Sequence, residues 1–535
     1  MPTDDKIYSF GPFTLDVPAR LLSVNGKPII LGSRSFEILV NLIEHRGEVV
    51  SKQDLLTRAW PNVHVEEHNL KVHVSALRRA LGENGRGLVI NVPGRGYSFV
   101  GTVARHENPV QAVRGERERS VNSRPRGQST ETPPRSSKSK SQKPLALKIG
   151  IVHSLTGPMA QSEGPVSEAT LLAIHEINEA GGILGQRIEP LIVDCESDED
   201  CFSERSEELI TKEKVSALFG CLTSASRKQV KTVVERHDHL LLYPMQYEGL
   251  EQSPNIFYLG AAPNQQFLPA VQWTFAFLRR RRFFLVGWDS IYSRACNAIL
   301  RDEIGALGGL VVGEEYIHVA GIEIHSVVQK IAQSDADIIL NSIVGDINAP
   351  FCRALRGKGI RAVDIPMVYF SISENELRGI SRSDAAGDYG VFNYVQSLDR
   401  PENHAFVASF QSRYGNQRVT SDPMESTYFG VHLWAQAVKE VETSDDISAV
   451  RQALRGQNYG APGGTVTIDR ENQHTWKTVR IAEITESGNF SVIWSSERPV
   501  RPEPYPSSRP IGEWNKFLDS IFVRWQGHWS RPNLL

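Results

Sequence analysis

The stretch FGCLTSASRK, residues 219–228, marks the point where an apolar strand ends and a helix begins. The predicted strand covers Val215–Phe219, and the helix starts at about Ser224. Small hydroxyl residues lie between them, at the helix N-terminus. There, backbone N–H groups and side-chain hydroxyls can face a carbonyl or carboxylate group of a ligand. The stretch therefore predicts a binding site at the carboxyl end of a strand.

The same alternation of strand and helix extends in both directions from this stretch. Further strands are predicted at Leu147–Val152, Ile188–Val193 and Leu240–Tyr243, and a second series at Phe283–Gly287, Asp337–Ser342 and Pro366–Ser371. Strands that alternate with helices form parallel sheets with crossover helices. Two such series predict two α/β lobes that face a cleft. Ligands of open α/β sheets bind beyond the carboxyl ends of the strands, so the residues after each strand are the candidates for binding.

Four segments that follow predicted strands are rich in aromatic and small polar residues and carry few charges. They are Gly220–Ser226, Tyr243–Glu248, Trp288–Tyr292 and Val344–Asp346. This composition indicates a small neutral ligand.

Longer motifs in this part of the chain resemble the urea-binding component of ABC transporters and the amide-sensing regulator of amidase operons. The motifs are FGCLTSASRK, YPMQYEGLE (residues 243–251), SPNI (253–256), AAPNQ (261–265), TSDPME (420–425), DRENQH (469–474) and RPEPY (501–505). The resemblance spans about residues 147–530 and implies the type I periplasmic-binding fold with a hinged cleft. It implies urea or a short-chain amide as the ligand, with contacts from Ser224, Tyr243, Gln246, Tyr247, Tyr292, Val344 and Asp346.

The first hundred residues change from a strand-like to a helical pattern. Short strand-like segments include an Asn25-Gly26 turn, which predicts a hairpin. Helical periodicity follows from about Ser33. Ser51 and Asp54 then predict a capping box at the start of a second helix.

A third predicted helix has an apolar stripe of Leu70, Val74, Leu77 and Leu81 with a basic face beside it. Such a helix suits the major groove of DNA, because the stripe anchors it while the other face reaches bases and phosphates. The hairpin that follows carries Arg95 at its tip, where a cation can enter the minor groove. The predicted DNA contacts are His68, Asn69, Lys71, Ser75, Arg78, Arg79 and Arg95.

The order of these elements resembles the winged-helix output domain of OmpR/PhoB-type response regulators. The segment VEEHNLKVHVSALRRAL, residues 65–81, and the motif GRGY, residues 94–97, carry the resemblance, which covers residues 6–103. It implies an α+β winged helix in which residues 65–81 form the recognition helix and Pro61–Val65 can contact RNA polymerase. A sensor of another type stands in the place of the receiver domain.

Residues 104–144 separate the two patterned regions and are rich in Ser, Arg and Lys. This composition is typical of a flexible linker, because it offers too little apolar surface to bury. The net charge is +2 for residues 1–103, +6 for residues 104–144 and −11 for residues 145–535, which gives −3 overall. We therefore predict a winged-helix domain at 1–103, a basic linker at 104–144 and a two-lobed sensor at 145–535, with different partners for the two ends.

Several function classes are disfavoured by the sequence. It contains no H-E-x-x-H, P-loop or G-x-S-x-G motif, so we predict no catalysis and no cofactor. The five cysteines form no CxxC pair, which disfavours a zinc site or another metal site. No stretch approaches the roughly 18 apolar residues of a membrane span, and the N-terminus does not read as a secretory signal. We therefore expect a cytoplasmic protein without membrane association.

Together these patterns predict a one-component transcriptional regulator that binds double-stranded DNA and responds to urea or a short-chain amide. Because a loose linker transmits little by itself, we expect a homodimer that forms through the sensor. Two alternatives stay open: an amino-acid-responsive regulator of the same architecture, and the ligand-binding component of an ABC transporter.

Overall fold

The protein divides into two compact units, Met1–Lys138 and Ser139–Leu535. The computed structural model describes residues 6–17, 21–25, 27–29, 33–59, 70, 74, 77–78, 80–82, 87–92, 95–107, 146–318 and 323–531. The predicted linker lies almost entirely outside the described residues, so its bounds at 104 and 144 stay a prediction. The α/β fold class is confirmed, with antiparallel sheets in the first unit and two mainly parallel sheets in the second.

Short strands and helices build the first unit. The strands are β1 Lys6–Phe10, β2 Phe13–Asp16, β3 Leu21–Val24, β4 Lys27–Ile29, β5 Val50–Ser51, β6 Val89–Val92, β7 Gly96–Phe99 and β8 Ala104–Glu107. One sheet has the order β4-β3-β2-β1-β8 and the other the order β5-β7-β6. The helices are Ser33–Glu44 and Lys52–Ala59, and the described residues between 70 and 80 are also helical.

Two local signals of the sequence appear in this unit as expected. Asn25 has a left-handed backbone with a φ of 50°, and β3 and β4 pair on either side of this turn. The Ser51 hydroxyl donates to the Asp54 carboxylate at 2.6 Å, and the Asp54 N–H donates to Ser51 Oγ at 3.1 Å. This exchange begins the second helix where the capping box predicts it.

The apolar stripe of the third predicted helix packs into the core of the first unit. Leu70, Val74, Leu77 and Leu81 are all at most 2% exposed. They belong to one cluster with the aromatic residues of the first sheet and with Phe99 of β7. The stripe therefore fixes this segment against both sheets, as the sequence predicts.

The second unit consists of two lobes with a chain that alternates between strands and helices. The strands are β9 Leu147–His153, β10 Ile188–Asp194, β11 Leu218–Gly220, β12 Leu241–Tyr243, β13 Ile256–Tyr258, β14 Arg282–Trp288, β15 Leu310–Ile317, β16 Ile338–Ser342, β17 Met367–Tyr369, β18 Tyr389–Phe392, β19 Asn458–Ala461, β20 Gly464–Ile468, β21 Thr475–Trp476, β22 Arg480–Ile484 and β23 Phe490–Ser495. The α-helices are Ala160–Glu179, Glu199–Thr211, Ser224–Arg236, Phe267–Trp273, Ile291–Ala306, Ile324–Gln333, Asn348–Gly357, Glu374–Leu377, Arg382–Ala385, Pro401–Tyr414, Asp422–Val441, Ile447–Leu454 and Ile511–Arg524.

The first lobe contains a parallel sheet with the order β10-β9-β11-β12-β13. The second lobe contains the sheet β15-β14-β16-β17-β18-β22-β23, in which β22 pairs antiparallel with both β18 and β23. A small sheet, β19-β20-β21, packs with the first lobe. The sequence pattern predicts β9 to β12, β14, β16 and β17, but neither the parallel strands β13, β15 and β18 nor the later antiparallel strands.

The chain crosses between the lobes three times, near residues 259–267, 392–394 and 476–480. Gln266 ties the first two crossings together, because its Nε2 donates at 2.8 Å to the carbonyl oxygens of both Phe370 and Val391. Each lobe has its own core, with Trp434 buried in the first and Trp514 in the second. The crossings therefore form a hinge region between two separately packed lobes.

Two further findings concern the chain as a whole. None of the five cysteines takes part in a disulfide. Among the described residues, no helix combines the length and the apolar character that a membrane crossing needs.

The close approach of β7 to β5 predicts an effect of Gly96→Ala. A Cβ atom at Gly96 would lie 2.0 Å from the backbone oxygen of Val50, and the φ of Gly96 is +148°. We expect the first unit to lose about 2–4 kcal/mol of stability, measured by hydrogen exchange in urea with mass spectrometry. Gly87→Ala is the matched control, because its Cβ would meet no atom within 4 Å. Equal losses in both variants would contradict the described strand pairing.

Candidate functional site

A cleft lies at the carboxyl ends of the parallel strands of both lobes. Its volume is about 1000 Å³, including the part that is open to solvent. The lining segments follow β11 and β12 in the first lobe and β14, β16 and β17 in the second, which is where ligands of parallel sheets bind. They are Leu222–Ala225, Met245–Gln246, Ser290–Tyr292, Val344 and Ser371–Glu376, together with Trp529 and Ser530 near the C-terminus.

Four of the seven predicted ligand contacts line this cleft: Ser224, Gln246, Tyr292 and Val344. Gln246 of the first lobe reaches the second, with 3.4 Å between its Nε2 and Ser371 Oγ. The Ser371 hydroxyl also donates to the Tyr292 hydroxyl oxygen at 2.9 Å. Val344 packs against the cores of both lobes. These residues bring the two lobes together at one place.

The other three predicted contacts lie elsewhere. Tyr243 and Tyr247 are fully buried behind the first-lobe wall and are not among the lining residues. Asp346 is exposed on the short 3-10 helix Gly345–Ile347, two residues beyond Val344, and is not among the lining residues of the cleft. A ligand contact from Asp346 therefore requires this turn to move inward, and its role stays a prediction.

Tyr243 and Tyr247 enclose a buried cation that supports the wall. The guanidinium carbon of Arg227 lies 5.0 Å from the ring centroid of Tyr243 and 4.6 Å from that of Tyr247. Arg227 donates to Glu248 at 3.0 Å and to Glu251 at 2.9 Å. Lys228 donates to the other oxygen of Glu251 at 2.8 Å. Two cations and two carboxylates thus form a neutral buried network.

This network holds the side chain of Ser224, one of the predicted ligand contacts, on the side away from the cleft. The Ser224 hydroxyl donates to Glu248 and accepts from Arg227 at 3.2 Å. Its proton therefore points into the wall rather than into the cleft. The groups of Ser224 and Ala225 that remain for a ligand are their backbone N–H groups, since the first N–H groups of a helix have no partner within it.

The charges of the network set the protonation of its members. Burial by itself would raise the pKa of Glu251, but Arg227 and Lys228 hold it well below its usual value. Burial lowers the pKa of His474 to about 4, so its imidazole is neutral. This ring stacks on Tyr258 with 4.2 Å between centroids, and Tyr258 donates to Glu251 at 3.0 Å. The aromatic residues behind the cleft therefore pack around the ion pairs and hydrogen-bond to them.

The cleft is more acidic than its sequence segments suggest. Among the described residues, its lining includes four acidic side chains and no Lys, Arg or His: Glu199, Glu374, Glu376 and Asp422. Burial raises the pKa of Glu374 to about 8 and also raises the pKa values of Glu376 and Glu199. The sequence analysis missed these residues. Glu374 and Glu376 follow a predicted strand and could have been found by the rule that identified Ser224.

Two further contacts connect the lobes at the cleft. The Ser162 hydroxyl of the first lobe donates to the Glu376 carboxylate of the second at 2.8 Å. The C-terminal residues also bridge the lobes: Lys228 Nζ lies 4.5 Å from the ring centroid of Trp529, while Arg531 donates to Asp289 at 2.7 Å. A direct hydrogen bond and the C-terminal segment thus connect the two lobes at the cleft.

The predicted DNA-binding residues are only partly described. His68, Asn69, Lys71, Ser75 and Arg79 lie outside the described residues. Arg95 is exposed in the turn between β6 and β7. Arg78 is half-buried, and its Nε and Nη2 donate to the backbone oxygen of Val89 at 2.9 and 2.8 Å. Arg78 therefore attaches the helical segment to β6, a structural role that the sequence analysis did not assign.

No group of three or more His, Cys, Asp or Glu side chains in the described part of the chain is arranged to hold a metal ion. The fold and the cleft thus define a two-lobed ligand-binding protein with an additional N-terminal unit. The family profile of the periplasmic binding protein domain matches residues 147–510, and the chain belongs to this family. The profile named "Transcriptional regulatory protein, C terminal" matches residues 26–99.

Individual curated relatives each match only part of this chain. The phosphate regulon transcriptional regulatory protein PhoB of Pseudomonas aeruginosa is 36% identical over 90 residues, 17% of this chain and 39% of that protein. Limonene hydroxylase of Geobacillus stearothermophilus is 34% identical over 132 residues, 25% of this chain and 24% of that protein. The chain thus spans less than half the length of these curated relatives.

A solved structure supports the fold of the second unit. The solute-binding protein of an ABC transporter from R. palustris, in complex with 4-hydroxybenzoate, has a TM-score of 0.62 and 20% sequence identity. The similarity covers 66% of this chain and 98% of that chain. The chain therefore joins a DNA-binding domain of the OmpR/PhoB type to a ligand-binding domain of the type I periplasmic-binding fold. The narrower resemblance to urea- and amide-binding proteins stays a prediction.

The buried network predicts a large effect of Arg227→Met on the second unit. The substitution leaves the carboxylates of Glu248 and Glu251 buried beside Lys228. We expect a loss of about 3–5 kcal/mol in the free energy of unfolding, measured by denaturant titration. Arg205→Ala is the control, because Arg205 forms an exposed pair with Glu208, and it should cost less than about 1 kcal/mol. A small effect of Arg227→Met would contradict the network.

The different surroundings of Arg78 and Arg95 predict different phenotypes in the full-length chain. Arg95→Ala should weaken binding to duplex DNA and reduce the salt slope of the affinity by about one unit, as expected for a lost phosphate contact. Arg78→Ala should in addition destabilise the first unit by about 1–3 kcal/mol, because the Val89 carbonyl loses its donors.

Fluorescence anisotropy over a salt series measures the DNA affinity, and hydrogen exchange measures the stability of the first unit. Arg413→Ala, which removes an exposed cation of the second unit, is the control for a general loss of charge. An unchanged salt slope for Arg95→Ala would reject the wing as a DNA contact.

Proposed function

We propose that the protein is a one-component transcriptional regulator in which a small ligand in the cleft controls DNA binding. The observation that carries this proposal is the presence of a transcriptional-regulator domain and a two-lobed ligand-binding domain on one chain. DNA contacts come from His68, Asn69, Lys71, Ser75, Arg78, Arg79 and Arg95, and the protein acts in the cytoplasm, where the DNA is. The segment Pro61–Val65 is the proposed contact for RNA polymerase.

The proposed ligand is urea or a short-chain amide. Its carbonyl oxygen would accept from the backbone N–H groups at Ser224 and Ala225, while acceptors in the lining would take its N–H groups. The described lining residues include no Lys, Arg or His, which supports such a ligand over an aromatic acid like the 4-hydroxybenzoate of the R. palustris protein. A buried carboxylate without donors is costly, so an anion would be disfavoured here.

The proposed control mechanism is a shift between open and closed lobes. Gln246 and Ser162 of the first lobe already contact Ser371 and Glu376 of the second, so a ligand that touches both walls favours closure. In a homodimer that forms through the sensor, closure changes the spacing of two DNA-binding domains. Coupling of this kind typically amounts to about 1–3 kcal/mol.

Two alternative functions and the match to an enzyme have to be weighed against this proposal. An amino-acid ligand would place its carboxylate at the helix N-terminus of Ser224–Arg236, and its ammonium group near the acidic lining. If the protein were the ligand-binding component of an ABC transporter, its DNA-binding domain would have no role. The limonene hydroxylase match covers only 24% of that protein, and we propose no enzymatic activity from it.

The test is a titration of DNA that the full-length protein has selected from a random duplex pool. We expect urea or acetamide to change the DNA affinity by about 5–150-fold, the range that such coupling energies produce. Gln246→Ala should lose most of this response and keep the affinity measured without ligand. Asp346→Ala tests whether the exposed Asp346 takes part. A response to a branched-chain amino acid alone supports the first alternative, and no response to any of these compounds contradicts the proposal.

A further inference from the structure

The carboxyl groups of the cleft differ in whether a cation neutralises them. Asp422 accepts from Lys477 at 2.9 Å and is thereby paired. Glu199, Glu374 and Glu376 form no salt bridge with any described residue. They come from both lobes and line the same cleft. These three carboxyl groups therefore share one cleft in which no described residue supplies a countercharge.

A second, independent observation concerns Gln266. This side chain is 2% exposed and lines the cleft. Both hydrogen bonds of its Nε2 go to carbonyl oxygens, of Phe370 and Val391, which fixes the orientation of the amide. Its Oε1 has no hydrogen-bond partner among the described residues. An unpaired buried acceptor in a cleft wall indicates a ligand that supplies a donor.

Aromatic side chains complete the wall. Trp288, Tyr292 and Trp529 all line the cleft. Aromatic faces attract cations through the negative potential of the ring, and most strongly those of Trp. Carboxylates, an unpaired amide oxygen and aromatic faces share one preference, since each of them favours a ligand with positive charge and N–H groups.

We propose that the physiological ligand of this cleft is a small organic cation with several N–H donors, of the amidinium or guanidinium type, rather than a neutral amide. The inference rests on the proposed function, which makes the cleft the sensory site, and it replaces the neutral amide with a cation as the ligand of that site. The cation would pair with Glu374 and Glu199 and donate an N–H group to Gln266 Oε1. Planar N–H groups and carboxylates match in geometry, because two parallel hydrogen bonds can form.

The test compares cations with neutral compounds of nearly the same shape. Isothermal calorimetry on the full-length protein measures guanidinium against urea, and acetamidinium against acetamide. All concentrations stay far below the molar range in which guanidinium denatures proteins. We expect each cation to bind at least about tenfold more tightly than its neutral counterpart, which corresponds to about 1.4 kcal/mol.

The pH dependence gives a second readout. Glu374 faces Glu376 on its own helix and Asp422 of the first lobe, with Lys477 beyond Asp422. Burial raises the pKa of Glu374 to about 8, and a bound cation would lower it. Cation affinity should therefore rise as the pH increases toward about 8 and level off above it. The affinity for urea should change much less.

Charge-removing variants identify the residues responsible. In the wild-type protein the backbone N–H of Gln396 donates to the Glu374 carboxylate at 2.8 Å. Glu374→Gln keeps the shape of the side chain and an acceptor for this N–H group. We expect it to reduce cation affinity about tenfold and to leave urea binding nearly unchanged. Glu199→Gln tests the opposite wall in the same way. Glu486→Gln, at an exposed position outside the lining, is the matched control. Thermal melting confirms that each variant is folded.

The outcomes separate the inference from the proposed function. Binding of urea or acetamide as tight as that of the cations overturns the inference and leaves the amide-responsive regulator standing. Tight cation binding that does not alter DNA affinity supports the inference and contradicts the regulator. Binding of none of the four compounds overturns both the cationic ligand and the amide ligand.

Discussion

The second unit depends on the burial of one cation, the guanidinium group of Arg227. A buried charge is tolerated only when opposite charges and hydrogen bonds surround it, and removal of one partner leaves the others uncompensated. Here Glu248, Glu251 and two tyrosine rings meet that need, and they all come from the end of β12 and the segment that follows it. The ends of β11 and β12 are therefore locked together. The position of Ser224 depends on these contacts, so the first-lobe wall of the cleft is formed before any ligand binds.

The parts of the fold that sequence predicts are those that local physics decides. Strand and helix periods, the Ser51–Asp54 exchange and the Asn25 turn all depend on neighbours a few residues apart. The site is different, because it combines distant segments. Arg531 contacts Asp289 across 242 positions, and nothing in the local sequence near Trp529 indicates that it returns to the cleft. The antiparallel strands β22 and β23 escaped prediction for the same reason.

Tyr243, Tyr247 and Arg78 show where residue type alone is ambiguous. Tyr243 and Tyr247 follow a strand, as ligand-binding aromatics do, yet their rings face a cation inside the protein. Arg78 lies beside an apolar stripe, as a base-reading arginine does, yet it donates to Val89. Glu376 is ambiguous in the opposite sense, because a structural role hides a contact in the cleft. The capping box of Ser373 and Glu376 explains it as a helix start, although the same carboxylate also accepts from Ser162 across the cleft.

The carboxyl groups link the chemistry of the cleft to its movement. Burial in the cleft favours the neutral, protonated forms of Glu374 and Glu376, and the nearby Asp422 acts in the same direction on Glu374. A proton and a ligand cation are thus alternative ways to remove the same charge. A proton neutralises one group at a time, whereas the proposed cation would reach both walls. In the proposed mechanism, closure by a cation would therefore gain contacts that protonation cannot supply, and a regulator could use this difference in free energy to distinguish its ligand from a change in pH.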